Sequence, residues 1–377
     1  MDIIKREITS IIKEKISPGK VIIIAGARRV GKTFLLKEII NDIEEPYLLL
    51  NGEDINTHVI LAKRSVENYR QLMGSKKILI IDEAQKIPEI GTILKLIVDE
   101  LNDIRIIITG SSAFDLKNLT GEPLTGRKYT FRLFPLSERE FSQVDTPVES
   151  IDRLSQSLIY GNYPELLHIP DTSGKKDYLN EIISSYLLRD ILVFENIKHS
   201  GKIFNLLRLI AFQVGGEVSY QELGSQLSLS KNTVEKYLDL LSKVFILFKV
   251  EGFSRNLRKE ITKNSKWYFY DNGIRNAIIA NFNYSGLRND NGQLWENYII
   301  SERLKYQQYK LKHANNFFWR TYDQQEIDWV EEMDGELSGF EFKWADSNVR
   351  VPEAWRKAYP EAGFKVIHHE NYMGWIS

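Results

Sequence analysis

A chain of 377 residues exceeds the roughly 250–300 at which one hydrophobic core stops growing, so two or three domains are expected. With 43% apolar residues, 27% charged residues and a net charge of −1, the composition excludes a disordered chain and one that is basic overall. There is no cysteine, which excludes disulfide staples, zinc ribbons, iron–sulfur clusters and thiol catalysis.

No apolar run approaches the ~20 residues that span a bilayer, and the N-terminus MDIIKREITSIIKEK is too charged for a signal peptide. A soluble, cytoplasmic protein with no membrane partner is the expectation. Ile4, Ile8, Ile11 and Ile12 give the opening segment a helical stripe. The runs Val21–Ala25, Tyr47–Leu50, Ile78–Ile81 and Ile104–Thr109 are continuously apolar, as buried parallel strands are, and helical lengths separate them. Phe131–Leu133 adds a fifth strand, and Ser137 with Glu140 reads as a capping box opening a helix. The class is α/β, with a parallel sheet as its core.

From about residue 151 helix-period apolar residues dominate, over Tyr178–Phe194 and Ile203–Val214. Tyr220–Leu227, a short turn and Lys231–Leu241 then precede the apolar run Val244–Val250, the order of a helix-turn-helix with a β wing. After Asn264 aromatic strand segments return (Trp267–Tyr270, Asn316–Thr321, Glu326–Val330, Gly339–Trp344), with a helix near Leu294–Tyr306. All seven tryptophans fall in this last third. Four segments are expected: a core at 1–145, a helical lid at 146–200, a winged-helix module at 201–265 and a second α/β domain at 266–377.

Gly26-Ala-Arg-Arg-Val-Gly31-Lys32-Thr33 follows the first strand and opens the helix at Phe34. It fits G-x-x-x-x-G-K-[ST] in the strand–loop–helix context that the motif needs. Such a loop curls so that backbone N–H groups point at a β-phosphate, with the helix N-terminus adding positive charge. Arg28, Arg29, Val30 and Phe34 line the same loop. Lys32 is expected to bridge the β- and γ-phosphates of ATP, and the Thr33 hydroxyl to ligate Mg²⁺. At the end of Ile78–Ile81, Asp82 would orient the Mg²⁺ shell and Glu83 would polarise the attacking water. A phosphate loop can also serve a slow switch.

The order of elements resembles the AAA+ superfamily, and most of all prokaryotic ATPases that join such a core to a C-terminal domain of unknown function. The residues that carry the resemblance are Gly26–Thr33, Asp82–Gln85, Thr109-Gly-Ser-Ser112, Leu124-Thr-Gly-Arg127, Phe134-Pro-Leu-Ser137, Gly161-Asn-Tyr-Pro164, Arg189-Asp190, Ser254-Arg-Asn-Leu257 and Leu294-Trp-Glu-Asn297. Asp82-Glu83-Ala84-Gln85 also resembles a motif of superfamily 2 helicases, but no Q-x-x-G-R-x-x-R element follows. The AAA+ resemblance implies that Ser111 or Ser112 senses the γ-phosphate. It implies that Arg127 is either an arginine finger reaching a neighbouring subunit, and hence a homo-oligomer, or a structural salt bridge. Asn51 would restrain the catalytic glutamate. Arg189 is a lid-borne phosphate sensor or pairs with Asp190 or another acid.

In the C-terminal part, Glu296, Asp328 and Glu341-Phe-Lys343 look like the core of PD-(D/E)-x-K nucleases, the restriction-endonuclease-like fold. Alternation on a strand points Glu341 and Lys343 to one face, and a hairpin through Gly335 brings Asp328 alongside. Asp328 and Glu341 would ligate a second Mg²⁺, with Glu296 and Lys343 completing the site. Ile327 stands where the named proline would be, and inactive copies of this fold are common. Lys231, Asn232, Thr233 and Lys236 would face DNA from a recognition helix, although Glu235 and Asp239 cancel their charge. The strip Arg255, Arg258, Lys259, Lys263 and Lys266 is a denser phosphate-binding candidate. The expectation is a Mg²⁺-dependent ATPase acting on or with DNA. The alternatives are a nucleotide-controlled switch, or a protein-remodelling ATPase whose C-terminal domain only recognises a partner.

Overall fold

The computed structural model describes residues 4–111, 124–187, 200–254 and 265–377. Ser112, Arg189, Asp190 and, from the basic strip, Arg255, Arg258, Lys259 and Lys263 lie outside the described residues. The chain divides into two units, Met1–Leu136 with Lys243–Phe245 and Ser137–Ser242 with Ile246–Ser377.

The first unit runs α1 (Ile8–Lys15), β1 (Val21–Ala25), α2 (Lys32–Asn41), β2 (Tyr47–Asn51), α3 (Ile55–Ala62), α4 (Val66–Met73), β3 (Ile78–Asp82), α5 (Ile90–Glu100), β4 (Arg105–Gly110) and β5 (Lys128–Arg132). Its five strands are parallel, in the order β2-β3-β4-β1-β5. The β-branched runs of β1, β3 and β4 are buried on both faces, as inner strands of a parallel sheet must be. Ile81, Leu79, Ile106 and Ile108 pack with Ile93, Leu94 and Ile97 of α5 in one core cluster. Each such side chain contributes about 1.5–3 kcal/mol by leaving water.

The run Tyr47–Leu50 differs from expectation. It is an edge strand with alternating exposure, because only Leu48 and Leu50 pack on the core, while Tyr47 and Leu49 face outward. The fifth strand also sits earlier than expected, over Lys128–Arg132. Register sets up the site. Asn51 lies opposite Asp82, Ile81 opposite Ile108, and Ile24 opposite Thr109, so the carboxyl ends of four adjacent strands open on one edge. Ligands of open parallel sheets bind at that edge.

The second unit begins with α6 (Glu138–Phe141), where Ser137 and Glu140 form the expected capping box. Then come α7 (Pro147–Tyr160), α8 (Thr172–Glu181), α9 (Ser200–Phe212), β6 (Glu217–Val218), α10 (Tyr220–Leu227), α11 (Lys231–Lys243), β7 (Leu247–Gly252), β8 (Ser265–Phe269) and α12 (Asn272–Ile278). They are followed by α13 (Asn291–Tyr309), β9 (Asn315–Arg320), β10 (Glu326–Met333), β11 (Glu336–Phe342), α14 (Glu353–Ala358), β12 (Gly363–Ile367) and α15 (Tyr372–Trp375). One mixed sheet, ordered β12-β11-β10-β9-β7-β8-β6, runs through the unit. The residues expected to form a wing and those expected to form a separate α/β domain share this sheet, since β7 pairs with β8 on one side and β9 on the other.

A hub of buried amides and charges ties this unit together. Asp271 caps α12 through the Ile274 N–H at 3.1 Å and also accepts from the Asn162 N–H at 2.7 Å. Asn297 bonds both backbone groups of Phe269, and Asn276 donates to the carbonyls of Leu158 and Ile159. Asn162 and Asn297, from the motifs Gly161–Pro164 and Leu294–Asn297, thus pair buried groups around the start of α12.

Candidate functional site

The P-loop leaves β1 at Gly26 and enters α2 at Lys32. A Cβ at Gly26 would lie 2.2 Å from the Leu133 carbonyl oxygen, so only glycine lets the loop pass the exit of β5. Lys32 is buried, and its ammonium donates to the carbonyls of Gly26 at 3.0 Å and Ala27 at 2.9 Å. Val30 is buried, whereas Arg29, Thr33 and Phe34 are exposed and Arg28 is half-buried.

Thr33 donates its hydroxyl to Asp82 Oδ2 at 2.9 Å. The other carboxylate oxygen of Asp82 accepts from the Thr109 hydroxyl, and the same Thr109 oxygen accepts the Glu83 N–H at 3.0 Å. Glu83 leaves the strand with φ of +50°, a conformation that costs a non-glycine residue energy and recurs at functional sites. Its carboxylate accepts from the Gln85 amide at 2.5 Å, and that amide also donates to Ser111 at 3.1 Å. A hydroxyl and a carboxylate thus converge as hard oxygen donors of the kind Mg²⁺ takes.

The structure brings Lys32, Thr33, Asp82, Glu83 and, through Gln85, Ser111 into one network. The Asn51 side chain accepts the Glu53 N–H at 2.9 Å. Arg127 pairs with Asp99 of its own unit at 2.5 Å and is 41% exposed. Sequence reasoning missed Thr109 and Gln85. Both stood inside quoted motifs, but only strand register reveals which hydroxyl of Thr109–Ser112 meets Asp82. It also missed Arg6, a lone arginine before a helix with no motif around it. Arg6 is buried and donates to the carbonyls of Val30 at 2.7 Å and Phe134 at 2.6 Å.

A second cluster lies in the second unit. The β10–β11 hairpin turns at Asp334–Gly335 and pairs Trp329 with Phe340, so Asp328 and Glu341 fall one step beyond that pair. Asp328 accepts the Phe342 N–H at 2.9 Å, and Lys343 donates to Glu341 at 2.8 Å. From α13, Glu296 accepts the Tyr268 hydroxyl at 2.7 Å and lies 3.8 Å from the Lys266 ammonium. Burial pushes the Glu296 carboxyl up to about 7 and the nearby Asp328 charge adds to the rise, against Lys266 and Tyr268. Burial also raises Asp328 and Glu341. For Lys343, burial opposes the charge most, but the bond to Glu341 and the charges of Glu341, Asp328 and Glu296 together outweigh it and hold the ammonium above its usual range.

Lys266 is a correction to the expected basic strip. It is buried beneath the cluster, because β8 carries it inward toward Glu296 and over the Phe318 ring. Among the described residues, no three His, Cys, Asp or Glu side chains gather closely enough to hold a metal ion.

With this geometry in place, residues 18–142 match the family described as AAA domain. Those residues are similar to AAA-type P-loop domains. Residues 151–286 and 291–372 match two domains of unknown function, DUF8612 and DUF4143. An uncharacterized protein of Haemophilus influenzae is 28% identical over 280 residues, 68% of this chain and 69% of that one. The uncharacterized protein Rv2008c of Mycobacterium tuberculosis is 25% identical over 342 residues, 90% of this chain and 74% of its own.

Among solved structures, Pif1 helicase from Candida albicans aligns over 42% of this chain and 48% of its own, with 15% identity and a TM-score of 0.29. A STAND protein with a tetratricopeptide repeat sensor, PH0952 from Pyrococcus horikoshii, aligns over 82% and 48%, with 12% identity and a TM-score of 0.31. The chain spans about half the length of those two, and TM-scores this low bear no weight for function. Among the described residues no helix is long and apolar enough to cross a membrane.

Proposed function

We propose that the chain binds and hydrolyses ATP with Mg²⁺ at the P-loop edge. The observation that carries this reading is the convergence of Thr33, Asp82, Thr109 and Glu83 at the ends of adjacent strands beside Lys32. The loop amides and Lys32 would bind the β- and γ-phosphates, with Lys32 exchanging the carbonyls of Gly26 and Ala27 for phosphate oxygens. Thr33 and Asp82 would hold Mg²⁺, which when bound supplies positive charge to the phosphate oxygens. Glu83 would accept a proton from the attacking water as its oxygen bonds to the γ-phosphorus and the bond to the β-phosphate oxygen breaks, releasing ADP. Thr109 would fix the Glu83 backbone, and Gln85 would link Glu83 to Ser111.

Arg127 as a finger in trans implies a homo-oligomer. It would have to exchange Asp99 for a neighbour's phosphate, and a half-exposed pair of this kind costs only about 0–1 kcal/mol to break. Lys32→Ala is expected to weaken ATP binding more than about a hundredfold and abolish turnover. Unchanged affinity in a direct binding titration defeats the assignment.

For the second unit we propose a restriction-endonuclease-like fold, supported by the order α13-β9-β10-β11-α14-β12 and the adjacency of Asp328 and Glu341. One oxygen of each carboxylate is engaged, Glu296 by Tyr268 and Lys266, Asp328 by the Phe342 N–H and Glu341 by Lys343. Among the described residues no third acidic or histidine ligand joins Asp328 and Glu341, which supports a recognition role beside cleavage as the alternative. DNA is the proposed partner, with exposed Lys231 and Asn232 at the start of α11 in the position of a recognition helix. ATP turnover with and without duplex, branched and single-stranded DNA tests it; turnover unchanged by every form counts against a DNA role.

A further inference from the structure

Arg6 precedes α1 and lies 24 residues from Val30 and 128 from Phe134, yet its buried guanidinium joins their carbonyls at 2.7 and 2.6 Å. The two acceptors have different places in the site. Val30 belongs to the phosphate loop, and Phe134 follows Leu133, which lies just past β5 and whose N–H donates to the Ala25 carbonyl at 2.7 Å. One side chain therefore ties the crown of the loop to the wall against which Gly26 is pressed.

The consequence follows from peptide geometry. The Val30–Gly31 peptide is planar and trans, so its C=O and N–H point in opposite directions. By gripping the Val30 oxygen, Arg6 commits the Gly31 N–H to the side away from the guanidinium. Glycine at position 31 has the backbone freedom to let that plane turn, so the plane needs an external hold. We propose that Arg6 is a positioning residue of the nucleotide site, which pre-orients the Gly31 N–H for a β-phosphate oxygen. This inference rests on the P-loop reading above and adds a residue to it. Pre-orientation lowers the cost of ordering at the moment of binding, so its loss appears in affinity rather than in the chemical step. Charge-assisted bonds to carbonyls are strong and buried here, so a lysine of shorter reach and a single ammonium can replace only part of the grip.

The experiment measures equilibrium binding of ADP and ATP, steady-state turnover and thermal unfolding of the nucleotide-free protein for the full chain, Arg6→Ala and Arg6→Lys. Arg6→Ala is expected to weaken ADP and ATP by the same factor, about tenfold or more, with turnover at saturating ATP within about threefold of the parent. Arg6→Lys should recover part of that loss. Parental affinities in a folded Arg6→Ala overturn the inference while leaving the P-loop reading intact. So does a fall in turnover at unchanged affinity. Should Arg6→Ala fail to fold, Arg6→Lys carries the test, and parental affinity in it refutes the pinning role. A wild-type chain that binds neither nucleotide removes the P-loop reading and this inference together.

Discussion

Gly52→Ala probes the join between the edge strand and the catalytic carboxylates. Gly52 directly follows β2, and its N–H donates to the Asp82 carbonyl at 2.8 Å. A Cβ built there meets the Glu83 carbonyl oxygen at 2.2 Å, the Glu83 carbonyl carbon at 2.8 Å and the Asp82 carbonyl oxygen at 3.2 Å. Carbon–oxygen contacts settle near ~3.3 Å, so the two backbones must part by about 1 Å. No flexible side-chain end stands in the way to absorb it. Relief requires β2 to retreat or the Glu83–Ala84 peptide to move, and Glu83 already sits at positive φ. Overpacking of this kind costs about 1–3 kcal/mol of stability, and misplacing a catalytic group by 1 Å costs about a hundredfold in rate. The loop amides and Lys32 follow β1, separated from β3 by β4, and the loop meets β3 through the Thr33–Asp82 bond, so nucleotide affinity measured without Mg²⁺ should change far less than turnover does. The assay is ATP turnover and nucleotide affinity at a temperature where the variant is folded, beside Gly292→Ala, where a Cβ meets nothing within 4 Å. Turnover within twofold of the parent in Gly52→Ala refutes the reasoning.

Mixing Arg127→Ala with Glu83→Gln subunits should restore ATP turnover if the arginine works in trans; inactive mixtures leave Arg127 as the partner of Asp99 alone. Burial pushes the Glu138 carboxyl up to about 7, against the hydroxyls of Tyr298 and Tyr372, with Glu302 adding to the rise. A raised carboxyl favours the fold below its unfolded pKa, and that contribution is lost as pH rises from about 4.5 to about 7. Glu138→Gln should therefore gain stability over the parent in denaturant titrations at pH 8 but not at pH 5, and an equal difference at both refutes it. Asp290 behaves oppositely. Burial works against its charge, but hydrogen bonds from Arg288 and Arg275 win and hold it at about 2. Its contribution is present above about 4 and lost as pH falls toward about 2, so Asp290→Asn should cost about 2 kcal/mol at pH 7 and less at pH 3, measured by the same titrations.

The parallel core was legible because β-branched runs and a phosphate loop are local signals, readable without knowing what packs against them. The exposure of Tyr47 and Leu49 was not, since an apolar run looks the same whether its strand lies inside the sheet or at its edge. Lys266 illustrates the same limit. Among Arg255–Lys266 it reads as one more surface cation, and only its place on β8, paired with β7 and β6, turns it toward Glu296. The β10–β11 hairpin was legible from Gly335 and strand alternation, but the partners of Glu296, Tyr268 and Lys266, lie 28 and 30 residues earlier, on β8. Thr109 fell between these cases. Its motif was visible, but its role depends on the register that sets Ile81 beside Ile108.

In the nucleotide site, three side chains already have partners that ATP could displace directly or indirectly. Lys32 rests on two loop carbonyls, Thr33 on Asp82, and Gln85 on both Glu83 and Ser111. These bonds offset part of the cost of burying the groups without ligand, so binding energy comes from the difference between phosphate and the present partners rather than from each contact in full. For Lys32 that difference is large, because a charged phosphate replaces neutral carbonyls. For Gln85 it is small, since a carboxylate already accepts its amide. The γ-phosphate therefore has little to gain from Gln85 itself. Its leverage lies in drawing Ser111 away, which leaves the Gln85 amide to Glu83 alone. Ser111→Ala should then alter turnover through the position of Glu83 while leaving ADP affinity at the parental value, and a matching loss of ADP affinity would place Ser111 in the binding of the β-phosphate instead.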